Sequence, residues 1–213
     1  MHRVTRTWRR PPFPFQISFD VKKATDKVNI NQNRVLRVRG ATFVKSPEYL
    51  LKLIVVGSDG PIKQSVLSEL SHGIFEGDYL ATVGTDIHEC FREIDGVIVK
   101  LVLWVLSSSI EFKQLHREYY QEASMILLTL ESTTPDELQH CRDLLQEIHS
   151  VQGKIQLTVV SDIRKDIDKK EIQSFAEEVE ASQVVFDFND KETLTGSVDR
   201  MVREVLHSDI RNG

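Results

Sequence analysis

Leu50-Leu51-Lys52-Leu53-Ile54-Val55-Val56 is an apolar run broken by one lysine, and Gly57-Ser58-Asp59-Gly60-Pro61-Ile62-Lys63-Gln64-Ser65 comes directly after it. The run predicts a β-strand buried on both faces. Residues 57–65 predict a glycine-containing loop, then a helix from about Gln64. A strand that passes through such a loop into a helix presents backbone N–H groups to an anion. The full phosphate-binding pattern is G-x-x-x-x-G-K-[ST]. Gly57 and Lys63 stand in register with it, with Gly60 inside the loop, while Ile62 takes the place of the second glycine and Gln64 that of the magnesium-binding hydroxyl. Lys63 is therefore open to two readings, a phosphate contact or a lysine that simply solvates a helix terminus.

The rest of the chain supplies the sheet that such a strand needs. After it come a helix over about 64–72 and a polar connection, Gly73–Asp86. Ile87–Ile94 and Val97–Leu106 then flank Asp95-Gly96, a dipeptide that favours the type I′ hairpin turn. Next are a helix near 111–122, a strand at Met125–Leu130, and a helix opened by Thr134-Pro135-Asp136-Glu137. Strand Ile155–Val160, helix Lys169–Glu180, strand Val184–Phe188 and a helix from Lys191 to about Leu206 complete the order. Strands that alternate with helices predict an α/β fold. The expected form is a mainly parallel six-stranded sheet with one antiparallel edge strand and helices on both faces. Ligands in such sheets bind at the carboxyl ends of strands, and Gly57–Ser65 lies at such an end.

Upstream, Arg3, Arg6, Arg9, Arg10 and Pro11-Pro12 predict a disordered basic tail over 1–12. Alternation in Phe15–Val21, Val28–Asn31 and Val35–Arg39 predicts a small basic β appendage over 13–49, ending near Ser46-Pro47. Residues 1–49 hold eleven Lys/Arg against three Asp/Glu, which leaves 16 of the 27 basic and 29 of the 32 acidic residues for the remainder. A segment of +8 on a body of −13 fits an anionic surface: a membrane, nucleic acid, an acidic partner or the body itself. No nucleic-acid motif singles out the second of these. No apolar run reaches the roughly 18–20 residues of a membrane span. Cys90 and Cys141 lack metal spacing, and the seven histidines form no ligand cluster, so no protein-built metal site is expected and a reduced cytoplasmic chain is.

Several further stretches, in register, resemble the Rab branch of the Ras-superfamily small GTPases over residues 50–206. They are Leu53-Ile54-Val55-Val56-Gly57 with Lys63; Tyr79-Leu80-Ala81-Thr82-Val83-Gly84, similar to Y-x-P-T-I-G; Ile94-Asp95-Gly96-Val97-Ile98-Val99-Lys100-Leu101-Val102-Leu103-Trp104, similar to I-D-G-x-x-[IV]-K-L-x-[IL]-W; and Tyr119-Tyr120 followed by Ala123 and Ile126-Leu127-Leu128. The resemblance implies a small-GTPase domain over 50–213. It also implies the residues that would contact a nucleotide: Gly57, Gly60, Lys63, Thr82 and Lys191.

The same resemblance exposes departures. Where the family reads W-D-T-A-G-Q-E, this chain reads Trp104-Val105-Leu106-Ser107-Ser108-Ser109-Ile110, without the aspartate, glycine and glutamine that serve magnesium, γ-phosphate and water. The guanine-reading N-K-x-D falls at Ser161-Asp162-Ile163-Arg164, and S-A-K near Asn189-Asp190-Lys191. Two expectations arise. One is a catalytically impaired small-GTPase-fold protein that works as a protein-interaction module through its switch-like surface, with no catalytic residue. The other is a divergent GTPase that still binds GTP or GDP with Mg²⁺ and hydrolyses slowly. Neither end carries a lipidation signal, so membrane contact would be peripheral, either electrostatic through the basic segment or by way of a partner.

Overall fold

The central strand, β3 (Tyr49–Gly57), is buried from Leu51 to Gly57 because both faces are covered. The computed structural model describes residues 36–38, 41–43, 47–71, 80–82, 84–162, 168–186 and 191–212. Within them, Leu36–Val38 (β1) and Ala41–Phe43 (β2) pair antiparallel, with Leu36 opposite Phe43. The expected tail over 1–12 and the strands over 15–21 and 28–31 lie outside the described residues.

Around β3 stand β4 (Leu80–Thr82), β5 (Thr85–Ile94), β6 (Val97–Leu106), β7 (Met125–Thr129), β8 (Gln156–Asp162) and β9 (Ser182–Phe186). They form one seven-stranded sheet in the order β4-β5-β6-β3-β7-β8-β9. From β6 to β9 the pairing is parallel, and the antiparallel pairs are β4–β5 and β5–β6. The fold class is therefore as expected, with one strand added. The short β4 carries too few residues to show a period, and it makes β5 an internal strand instead of the edge.

Alternation along β3 sorts the two cores. Leu53 and Val55 pack with Ile62, Val66 and Leu70 of α1 (Pro61–Ser71) and with Leu194, Val198, Val202 and Leu206 of α5 (Lys191–Asn212). Ile54 and Val56 pack on the other face with Tyr120 of α2 (Lys113–Tyr120), Cys141, Leu145 and Ile148 of α3 (Pro135–Gln152), and Phe175 of α4 (Lys169–Glu178). Each fully buried Leu, Ile or Val contributes about 1.5–3 kcal/mol, so these two layers supply most of the drive to fold. α1 begins at Pro61, three residues before the expected start. Proline fits the first helical position because its ring presets φ and its missing N–H would have had no intrahelical partner.

Two glycines are used for different reasons. Asp95 and Gly96 adopt φ of 52° and 81° between Ile94 and Val97, the twist that a tight hairpin requires. Gly57 has φ of 118°, and a Cβ there would lie 2.2 Å from the Thr129 carbonyl oxygen, so both conformation and space exclude a side chain. A Cβ on Gly96 would meet nothing within 4 Å. Gly96→Ala is therefore expected to cost about 1 kcal/mol, and Gly57→Ala roughly 3 kcal/mol or more. Urea denaturation of the two variants checks this; equal losses would overturn the packing argument for Gly57.

Candidate functional site

The carboxyl ends of β3, β6 and β7 lie side by side, with Val55 opposite Val105 and Leu127. The loop from Gly57 to Gly60 leaves β3 there and enters α1 at Pro61. Ile62 is fully buried among the apolar residues beneath the loop, so its side chain serves the core. Lys63 is likewise buried, at 4% exposure, which rules out a lysine that solvates the helix end. Its Nζ donates to the carbonyl oxygens of Gly57 (2.6 Å) and Leu106 (2.9 Å) and to Asp59 Oδ1 (2.8 Å). Those three acceptors match the three protons of an ammonium.

Three carboxylates surround this loop. Asp59 is the first. Its Oδ2 accepts from the Ser108 N–H (3.0 Å) and the Ser107 hydroxyl (3.1 Å), which ties the loop to the segment after β6. Glu131 comes just after β7, and its Oε1 accepts from the N–H groups of Ile62 (2.8 Å) and Lys63 (3.3 Å), the open donors of α1's first turn. Glu137 is the third. Its Oε2 accepts from the Ser58 hydroxyl at 2.7 Å, while its own N–H donates to Thr134 Oγ1 at 3.4 Å in the cap of α3.

The electrostatics reflect this crowding. Burial lowers the Lys63 pKa, and Asp59, Glu131 and Glu137 oppose that shift without cancelling it. For Asp59, burial pushes the carboxyl up, but hydrogen bonds from Lys63 and Ser108 and the lysine's charge hold it below its ordinary value.

Of the residues singled out from sequence, Gly57, Gly60 and Lys63 share this loop. Thr82 ends β4 opposite Thr85, and Thr85 lies opposite Leu106, so the backbone register places Thr82 two strands from the Lys63 acceptor. Lys191 opens α5. Val105 is buried on β6 and Ser108 lies exposed beyond it. Ser161 and Asp162 end β8, whereas Ile163, Arg164, Asn189 and Asp190 lie outside the described residues. Among the described residues no group of histidine, cysteine, aspartate or glutamate forms a metal site.

The sequence reading missed Asp59, Glu131 and Glu137. Glu137 had a signal in its Thr134-x-x-Glu137 spacing; Glu131 had none, because its partners lie 68 and 69 residues away.

Beside the loop, a cavity of about 320 Å³ runs between α2 and α3, bounded by Leu106, Ser108, His116, Tyr120 and Glu147. Tyr119 of α2 meets Trp104 of β6 with ring centres 5.6 Å apart and planes tilted by 47°. Lys52 Nζ lies 4.0 Å from the centre of the Trp104 ring and donates to the Gln121 carbonyl oxygen at 2.9 Å.

The Ras family matches residues 52–208 of this chain. The GTP-binding protein ypt1 of Schizosaccharomyces pombe is 29% identical over 128 residues, 59% of this chain and 63% of that protein. The human Ras-related protein Rab-30 is 26% identical over 141 residues, 65% of this chain and 70% of that protein. The human Ras-related protein Rab-37 is 34% identical over 107 residues, 49% and 48% of the two chains. The chain thus spans less than two thirds of the length of ypt1. Among the described residues no helix is long and apolar enough to cross a membrane.

Lys52 makes this region pH-dependent. Burial lowers its pKa to about 8, with Glu122 opposing. In the unfolded chain the value is about 10.4. Below about pH 8 both states carry the proton and the folded state bears the full desolvation cost. Between about pH 8 and 10.4 the unfolded state binds more protons, so this residue's contribution to stability rises with pH. Going from about pH 7.5 to 9.5, the unfolding free energy of wild type minus that of Lys52→Met should rise by on the order of 2 kcal/mol. Chemical denaturation at both pH values measures it, and an unchanged difference would refute the depressed pKa. Other titrating groups, including the buried thiols, are common to both proteins and cancel.

Proposed function

Because this chain belongs to the Ras family, we propose that it is a catalytically impaired small-GTPase-fold protein that works as a protein-interaction module. One observation carries the reading: the loop lysine commits its ammonium protons to Gly57, Asp59 and Leu106 of its own chain. A phosphate would have to displace Asp59 or one of the two carbonyl groups from the ammonium, and a buried carbonyl left unpaired costs about 1–3 kcal/mol. Support also comes from Val105, Ser108 and Ser109, which offer neither a magnesium carboxylate nor a water-positioning amide where phosphoryl transfer needs them. The partner surface in this reading is the segment after β6, where Ile110 is 82% and Leu115 38% exposed.

The second reading is a divergent enzyme that binds and slowly hydrolyses GTP. It draws on Lys63 standing at the right end of the right strand, and on the likeness to ypt1, a GTP-binding protein.

Titration of the whole chain with mant-GDP and mant-GTP, with and without Mg²⁺, separates the two. No saturable binding is expected. Micromolar, Mg²⁺-dependent binding would overturn the first reading in favour of the second. In the same preparation Lys63→Met should lose about 2–3 kcal/mol of stability, because it strands three acceptors.

For the basic segment 1–49 the proposed role is contact with an anionic surface. Co-sedimentation of the whole chain with phosphatidylserine-containing vesicles at low salt should exceed that of a chain lacking 1–46, which spares β3. Equal sedimentation of the whole chain and the 1–46 deletion would remove a membrane from this role.

A further inference from the structure

We propose that Glu131 is the chain's own anionic ligand for the phosphate cradle, and that it excludes nucleoside phosphates by direct competition. The inference rests on the reading that this loop no longer holds a nucleotide, and it names the residue responsible. The Glu131 carboxylate takes the N–H groups of Ile62 and Lys63 at 2.8 and 3.3 Å. These are the first-turn donors that an anion at a helix N-terminus would use. A carboxylate is an oxygen acceptor of the same sign as phosphate, so the two compete for one set of donors.

Gly60 supplies a second, independent observation. A Cβ built there would lie 2.4 Å from Glu131 Cδ and 2.6 and 2.8 Å from its two oxygens. The space that glycine keeps open at such a loop for close approach of a phosphate is filled in this chain by the carboxylate.

The side chain is delivered by a fixed backbone. The Leu130 N–H donates to the Val160 carbonyl oxygen at 2.8 Å, and Ser161 Oγ donates to the Leu130 carbonyl oxygen at 3.1 Å. One residue earlier, Thr129 Oγ1 donates to the Val56 carbonyl oxygen at 3.0 Å. Glu131 thus leaves a backbone anchored on both sides, next to the loop it reaches. A tethered group meets its site at an effective concentration of about millimolar or higher, so a dissolved competitor must displace it against that advantage. The field works in the same direction. Asp59 stands in the loop and Glu137 reaches it from α3 through Ser58, and an incoming phosphate would add negative charge to a group of three carboxylates around one lysine.

The test uses the whole chain as wild type, Glu131→Gln and Glu131→Ala, probed with inorganic pyrophosphate and mant-GDP by thermal shift and fluorescence. Sodium chloride at matched ionic strength is the control. Wild type is expected to respond to neither probe. Glu131→Ala should melt lower than wild type and recover stability as pyrophosphate is added, with affinity raised by about tenfold or more. Glu131→Gln keeps an acceptor oxygen but loses the charge, so it should fall between the two. If Glu131→Ala does not fold, the near-isosteric Glu131→Gln decides on its own.

Variants that fold yet bind pyrophosphate no better than wild type overturn the proposal, as does a gain that sodium chloride reproduces. In either case the reading of an unoccupied nucleotide site stands. Tight binding of mant-GDP by wild type overturns that reading itself.

Discussion

A buried ammonium group joins the carboxyl ends of two neighbouring parallel strands. Lys63 reaches from α1 beneath its own loop to carbonyl oxygens of Gly57, which ends β3, and Leu106, which ends β6. Taking that charge out of water is costly, and the cost is met only because each proton finds an acceptor and Asp59 supplies the counter-charge. Much else depends on this contact. The start of α1, the path of Gly57–Gly60 and the position of Ser107 and Ser108 are all fixed through Lys63 and Asp59.

The contact depends in turn on the two cores. β3 offers Leu53 and Val55 to α1 and α5, and Ile54 and Val56 to α2, α3 and α4, so the loop at its end hangs from a strand clamped on both faces. On the far flank, Arg203 pairs with Asp95 at 3.0 Å and Arg92 lies 3.6 Å from Asp199, joining α5 to the β5–β6 hairpin. The exposed Arg203–Asp95 pair contributes at most about 1 kcal/mol and orients more than it stabilises, while Arg92 and Asp199 are half-buried. Apolar burial makes the scaffold, and a few charged contacts decide what happens at its open end.

How much of this is legible in the amino-acid order depends on the range of the interaction. The hairpin is written in two adjacent residues, Asp95 and Gly96, and both adopt positive φ. The start of α3 is written in Thr134 and Pro135, and Thr134 caps it. β4 escaped because its three residues pair through continuity with β5, not through a pattern of their own. At the site, Gly57, Gly60 and Lys63 were visible because a loop motif is local. Ile62 takes the place of the motif's second glycine, and it points into the core, since a helix beginning at Pro61 turns that position inward. Glu131 was invisible: a carboxylate 69 residues from its donor leaves no periodic trace.

The Glu131 contact also bears on how the folded chain is maintained. A protein whose first-turn amides wait for a dissolved anion gains stability by mass action, and its folded fraction tracks the concentration of that anion. Here the donors of Ile62 and Lys63 are satisfied by a group that travels with the chain. Under the proposed competition, folding at this end of the sheet is a unimolecular affair, insensitive to how full or empty the surrounding pool of small molecules happens to be.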